Sequence, residues 1–110
     1  MAIDMDAVRE IAFALGSVEE DEHFHLRSLK VNNRIFATLW EKEQRVMVKL
    51  SLTDQSVFNS FDAETFFPVP NKWGQQGCTF IELARVRPDM LQDALTLAYE
   101  IASAKGRKKK

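Results

Sequence analysis

At 110 residues, 45% hydrophobic and 28% charged, the chain has the size and composition of one soluble domain with one core, and is too apolar to stay unfolded. No run approaches the roughly 18 apolar residues of a membrane-spanning helix, and the opening MAIDMDAVRE lacks the basic-then-apolar layout of a secretory signal, so a cytoplasmic location without a membrane partner is expected. The formal net charge of -1 hides an asymmetry: Lys105 and Arg107 to Lys110 supply five of the 15 basic residues, leaving ten basic against 16 acidic residues, about -6, in the body.

Asp4 is placed to cap a helix, and Val8, Ile11, Ala12 and Leu15 fall at spacings of three and four that line one side of it, which predicts a helix from about Met5 to Leu15 ended by Gly16. The acidic run in Ser17 to His25 then predicts an exposed loop. Leu26 to Val31 is expected as a first strand at a sheet edge, where Arg27 and Lys30 discourage unwanted pairing. Arg34 to Trp40 alternates with Ile35, Ala37 and Leu39 on one side and Phe36, Thr38 and Trp40 on the other, and Arg45 to Leu50 sets Val46, Val48 and Leu50 against Arg45, Met47 and Lys49. Asn32-Asn33 suits the positive φ angles of a two-residue turn, and Glu41 to Gln44 suits a hairpin loop, so an antiparallel meander follows.

Beyond it, Val57, Phe58 and Phe61 mark one side of a short helix near Asp54 to Ser60. The stretch FDAETFFPVPNKWGQQG reads as an ordered aromatic loop, because Pro68 and Pro70 break ladders while Phe66, Phe67 and Trp73 are too apolar to leave in water. Cys78 to Val86 alternates as a fourth strand. Pro88 opens the longest helix, whose stripe of Leu91, Ala94, Leu95, Ala98, Ile101 and Ala102 runs to about Ala104, with Gly106 stopping it. Residues 1–104 are thus expected to form one domain and 105–110 a basic, disordered tail.

Few residues offer chemistry. His23 and His25 sit among carboxylates, but no second cluster completes a metal site, so an incidental acidic loop is the expected role and no metal or cofactor is assigned. The lone Cys78 cannot form an internal disulfide and reads as a small packing residue. Gly74 and Gly77 lack the strand and helix context of a phosphate loop. No enzyme is expected, and no catalytic residue is named. Lys30, Arg34, Arg45 and Lys49 on the meander are candidates for phosphate contacts or for solvation of a sheet face. Lys72 beside Trp73 is a candidate cation next to a stacking ring, although the aromatic loop rings are better suited to closing the core between sheet and helices. The tail can add only a sequence-blind attraction to polyanions.

The segments VEEDEH, LKVNNRIFATL, VMVKLS, FFPVP and KWGQQGCTFIEL, followed by an amphipathic helix containing Ala98-Tyr99, resemble the MmcQ/YjbR family of small bacterial proteins over about Ala7 to Ala104. The resemblance implies an α+β fold, a curved antiparallel sheet of four to five strands packed against N- and C-terminal helices, similar to secretion chaperones and CyaY-like proteins. It implies DNA as a partner through a double-wing shape; the contacts would then come from the cations and ring read from the residues themselves, Lys30, Arg34, Lys49, Lys72, Trp73, Lys105, Arg107 and Lys108. The alternative it leaves is a protein- or peptide-interaction module, monomeric or homodimeric. This chain departs from the family pattern at Cys78, where relatives tend to carry tryptophan, and at Leu29, where they carry an aromatic.

Overall fold

The computed structural model describes residues 3–23 and 26–107, with side chains described for 3–22 and 26–104. Its elements in chain order are α1 (Met5–Phe13), β1 (Glu19–His23), β2 (Leu26–Val31), β3 (Arg34–Trp40), β4 (Arg45–Lys49), α2 (Leu52–Phe61), β5 (Phe66–Pro68), α3 (Lys72–Gln75), β6 (Cys78–Glu82) and α4 (Pro88–Arg107). The strands form one antiparallel sheet in the order β1-β2-β3-β4-β6-β5.

The alternation of the meander sorts the sheet's two faces. Leu29, Ala37, Leu39, Val46, Val48 and Ile81 are each at most 1% exposed and meet the helices, with α4 lying across β2, β3 and β4 and α1 packed on α4. Leu91, Ala94 and Leu95 are fully buried, as the predicted stripe requires, each such leucine contributing about 1.5–3 kcal/mol. The β2–β3 turn closes through Asn32 and Asn33 at φ 53° and 63°, left-handed values that asparagine tolerates. Long-range pairing welds β6 onto the meander, with β4 and β6 in register from Arg45–Glu82 to Lys49–Cys78, and β5 then pairs with β6.

Several expectations change. The acidic segment is a strand, not a loop: β1 takes the sheet edge that had been expected of β2. Its acids find partners, Glu20 with Arg27 at 3.2 Å and Asp21 with Lys30 at 2.9 Å. Arg9 on α1 ties the same edge down, meeting Glu20 at 3.2 Å, Glu41 at 2.8 Å and Asp6 at 3.1 Å. Burial pulls the Arg9 guanidinium's pKa down, but Glu41 and Glu20 outweigh it and hold the group above its usual value. Arg9→Met is expected to cost about 1 kcal/mol, read as a lowered urea midpoint whose deficit shrinks as salt rises.

Between β2 and β3 the register slips after Leu29–Ala37 to Lys30–Ile35, a bulge that leaves Phe36 of β3 out of strict alternation, with its ring edge-on to Tyr99 of α4 at 5.7 Å. The aromatic loop contains β5 and α3. On α2, which is longer than expected, Gln55 and Phe58 face inward while Val57 and Phe61 are 62% and 63% exposed, so the predicted apolar side was rotated from the real one. Finally, α4 passes Ala104 and Gly106 to reach Arg107, because a glycine within a helix costs only about 1 kcal/mol and is no obligatory stop.

Candidate functional site: an apolar cleft on the open sheet face

The sheet face away from α4 carries Leu26 and Ser28 of β2, Thr38 and Trp40 of β3, Met47 and Lys49 of β4 and Cys78 of β6. Register puts Ser28 opposite Thr38, Thr38 opposite Met47, Met47 opposite Phe80, and Lys49 opposite Cys78. Val69, Asn71 and Trp73 rise beyond Cys78 as a wall, and the half-open cleft measures about 470 Å³. That volume suits a small ligand or a few residues of peptide.

The wall stands where it does because α2 and a glycine pair clamp it. The Gln55 side-chain amide, buried under α3, donates to the Gly74 carbonyl at 2.9 Å, the Cys78 carbonyl at 3.2 Å and the Thr79 hydroxyl at 3.2 Å. Gly77 at φ 107° lies so close to β4 that a Cβ there would meet the Leu50 carbonyl oxygen at 1.9 Å. Asn71 caps α3 by accepting from the Trp73 N–H at 2.8 Å. On the other flank, Trp40 stands edge-on to Phe80 at 5.1 Å, and Arg45 covers Phe67 and Phe80 at 5.3 and 5.4 Å while pairing with Glu82 at 2.9 Å. Phe66 instead enters the core against Phe58 at 4.8 Å, so the aromatic loop divides between core and cleft.

Three side-chain atoms in the cleft lining, Ser28 Oγ, Thr38 Oγ1 and Trp40 Nε1, are buried without a hydrogen-bond partner. Such atoms are rare in folded proteins. Here they share one patch of sheet. Nothing in the sequence marked them, because a serine and a threonine in alternating strands look like ordinary solvent-facing positions.

The cations named from the sequence are dispersed. Lys30 lies outside the cleft lining, with the Asp21 carboxylate raising its ammonium above the usual lysine value. Arg34, Lys49 and Lys72 make no ion pair among the described residues. Lys49 lines the cleft, and Arg34 joins it beside Ile35 in an adjoining recess against α4. Lys72 and the 59% exposed Trp73 open α3 on the cleft's far wall. Lys105 and Arg107 fall in the last turn of α4, but their side chains, and all of Lys108, lie outside the described residues, as do the His23 side chain and His25.

Cys78 is 2% exposed, and burial pushes its thiol pKa up, with the nearby Lys49 ammonium only partly opposing. The protonated thiol is a poor nucleophile. The unfolded chain releases that proton first, so stability falls as pH climbs above about 8.5. Cys78→Ala is expected to flatten this decline in urea midpoints taken from pH 7 to 10.

The YjbR family model matches residues 13–101 of the chain. Among solved structures, the fold is similar to the crystal structure of Deinococcus radiodurans protein DR2400, which has a DUF419 domain, with a TM-score of 0.82, 17% identity, and coverage of 96% of this chain and 83% of that one. No curated protein matches. Among the described residues, no helix is long and apolar enough to cross a membrane.

Proposed function

The chain belongs to the YjbR family, and we propose that it is a non-enzymatic binding module that receives an apolar peptide segment in the cleft over β2, β3 and β4. The observation that carries this is the cleft itself: about 470 Å³, lined mostly by apolar side chains, with both tryptophans of the chain on its walls. The family's DNA-binding label fits these residues less well. A duplex needs a continuous strip of unpaired cations. Here Lys30, Arg45, Arg27 and Arg9 are spent on carboxylates, and the body carries about -6. Among the described residues, Arg34, Lys42, Lys49 and Lys72 make no ion pair, and of these Arg34, Lys49 and Lys72 are the ones a nucleic-acid reading would use.

Because Trp40 and Trp73 both line the cleft, tryptophan emission reports on it directly. Titration with pentapeptides rich in Leu and Phe should shift that emission and saturate, and Met47→Glu, checked for folding by circular dichroism, should lose the response. An unresponsive wild-type protein, together with a salt-dependent gel shift on duplex DNA that disappears in Arg34→Ala and Lys49→Ala, overturns the reading in favour of nucleic acid.

A further inference from the structure

From the unpaired polar atoms on the cleft floor and the cations at one end, we infer that the segment this cleft takes is a peptide C-terminus, its free carboxylate held by Lys49. The inference rests on the cleft being the binding site and specifies what enters it.

The floor selects the ligand's middle. Ser28 is 0% exposed and Thr38 7%, and they stand directly opposite each other across β2 and β3. Serine and threonine so placed commonly bond to each other. These hydroxyls do not, and the Trp40 N–H, two residues along β3, is unpartnered as well. A hydrocarbon chain laid over them leaves all three unsatisfied. A peptide backbone does not: its carbonyls accept from the indole N–H, which can only donate, and its amides donate to the hydroxyls. The three atoms are closed off from bulk water, so the backbone reaches them by displacing side chains above. Met47, unbranched and half-buried beside Thr38, is suited to that movement.

The rim selects the ligand's end. Lys49 is half-buried and has no ion pair among the described residues, an arrangement that favours arrival of an anion. Arg34 flanks it across Ile35. A mid-chain segment brings no backbone charge to this end, whereas a terminal carboxylate brings one at a fixed distance from the last amide. The last side chain then rests among Ile35, Met47 and Trp73.

The test uses the full chain and pentapeptides Ser-Gly-Ser-Leu-X, with X as Phe, Leu, Ile or Met, each as free acid and as C-terminal amide, with decanoate as a carboxylate lacking amides. Tryptophan emission reads binding and thermal unfolding reads stability. The best free acid is expected to bind at least roughly tenfold more tightly than its amide, and Lys49→Met to abolish that difference. Thr38→Val should weaken the free acid while raising the free protein's Tm by about 4 °C or more, since it removes a buried hydroxyl that lacks a partner. Acids and amides of equal affinity overturn the carboxylate inference and leave the cleft reading standing. Decanoate binding as tightly as the best peptide, or a Thr38→Val variant with lowered Tm, overturns the role given to the floor. No response to any peptide sinks the cleft reading along with the inference.

Discussion

Gly77→Ala is expected to lower unfolding free energy by about 4 kcal/mol, a large part of the stability of a domain this size. Two costs combine. At φ 107° an alanine is strained by about 1–3 kcal/mol. Its methyl would also overlap the Leu50 carbonyl oxygen, with 1.9 Å between Cβ and oxygen, and since a Cβ is fixed to its own backbone and the oxygen is backbone, the two can separate only by opening the sheet end. The Leu50 N–H to Gly77 carbonyl bond of 3.0 Å is lost in that opening. Thermal unfolding should show Tm reduced by about 15 °C or more. A loss under about 1 kcal/mol would show that this segment has room to move, and with it the wall that carries Trp73.

Gln55→Leu is the second large effect, at about 3 kcal/mol. The residue is 8% exposed, and its amide serves three acceptors with two protons, so the bonds at 2.9, 3.2 and 3.2 Å share donors. Leucine keeps the volume but removes all three bonds, at about 0.5–1.5 kcal/mol each, and leaves the Gly74 and Cys78 carbonyls only their backbone donors, the Gly77 and Val69 N–H groups at 3.1 and 3.0 Å. Chemical denaturation measures the loss. Proteolysis adds a spatial readout, since cleavage near Lys72 should speed up more than cleavage at Lys42. Uniform sensitivity would place the effect of Gln55 in global stability and not in holding the wall.

How much of this was legible in the sequence depended on whether one residue's pattern or two distant residues' pairing carried the information. The meander from Arg34 to Lys49, the Asn32-Asn33 turn and the stripe of α4 were readable because periodicity is local, and the buried Val46, Val48, Leu91 and Leu95 follow it. The strand β1 was not, since EEDEH has no apolar alternation. Its signal was relational: acids at Glu20 and Asp21 that pair diagonally with Arg27 and Lys30 on the neighbouring strand. Phe36 misled because a bulge shifts facing without altering composition. On α2 the exposed Val57 and Phe61 outweighed Gln55 in any hydrophobic count, yet Gln55 is the residue that faces in.

The candidate site was half visible. Trp73, Lys49 and Arg34 were named as contacts for a polyanion, and they do gather at or beside one cleft. Their neighbours change the reading, because Ser28, Thr38, Met47 and Trp40 arrive from β2, β3 and β4 only once the register is known. Lys30, named with them, is held by Asp21 away from the cleft lining.

The most direct measurement is a chemical-shift map of the isotope-labelled protein during titration with the Leu- and Phe-ended pentapeptides. The amides of Ser28, Thr38, Met47 and Lys49 and the indole N–H of Trp40 should move together and saturate at one affinity. Perturbations gathered instead on the exposed α2 side around Leu52, Val57 and Phe61, with the sheet face unmoved, would contradict the account.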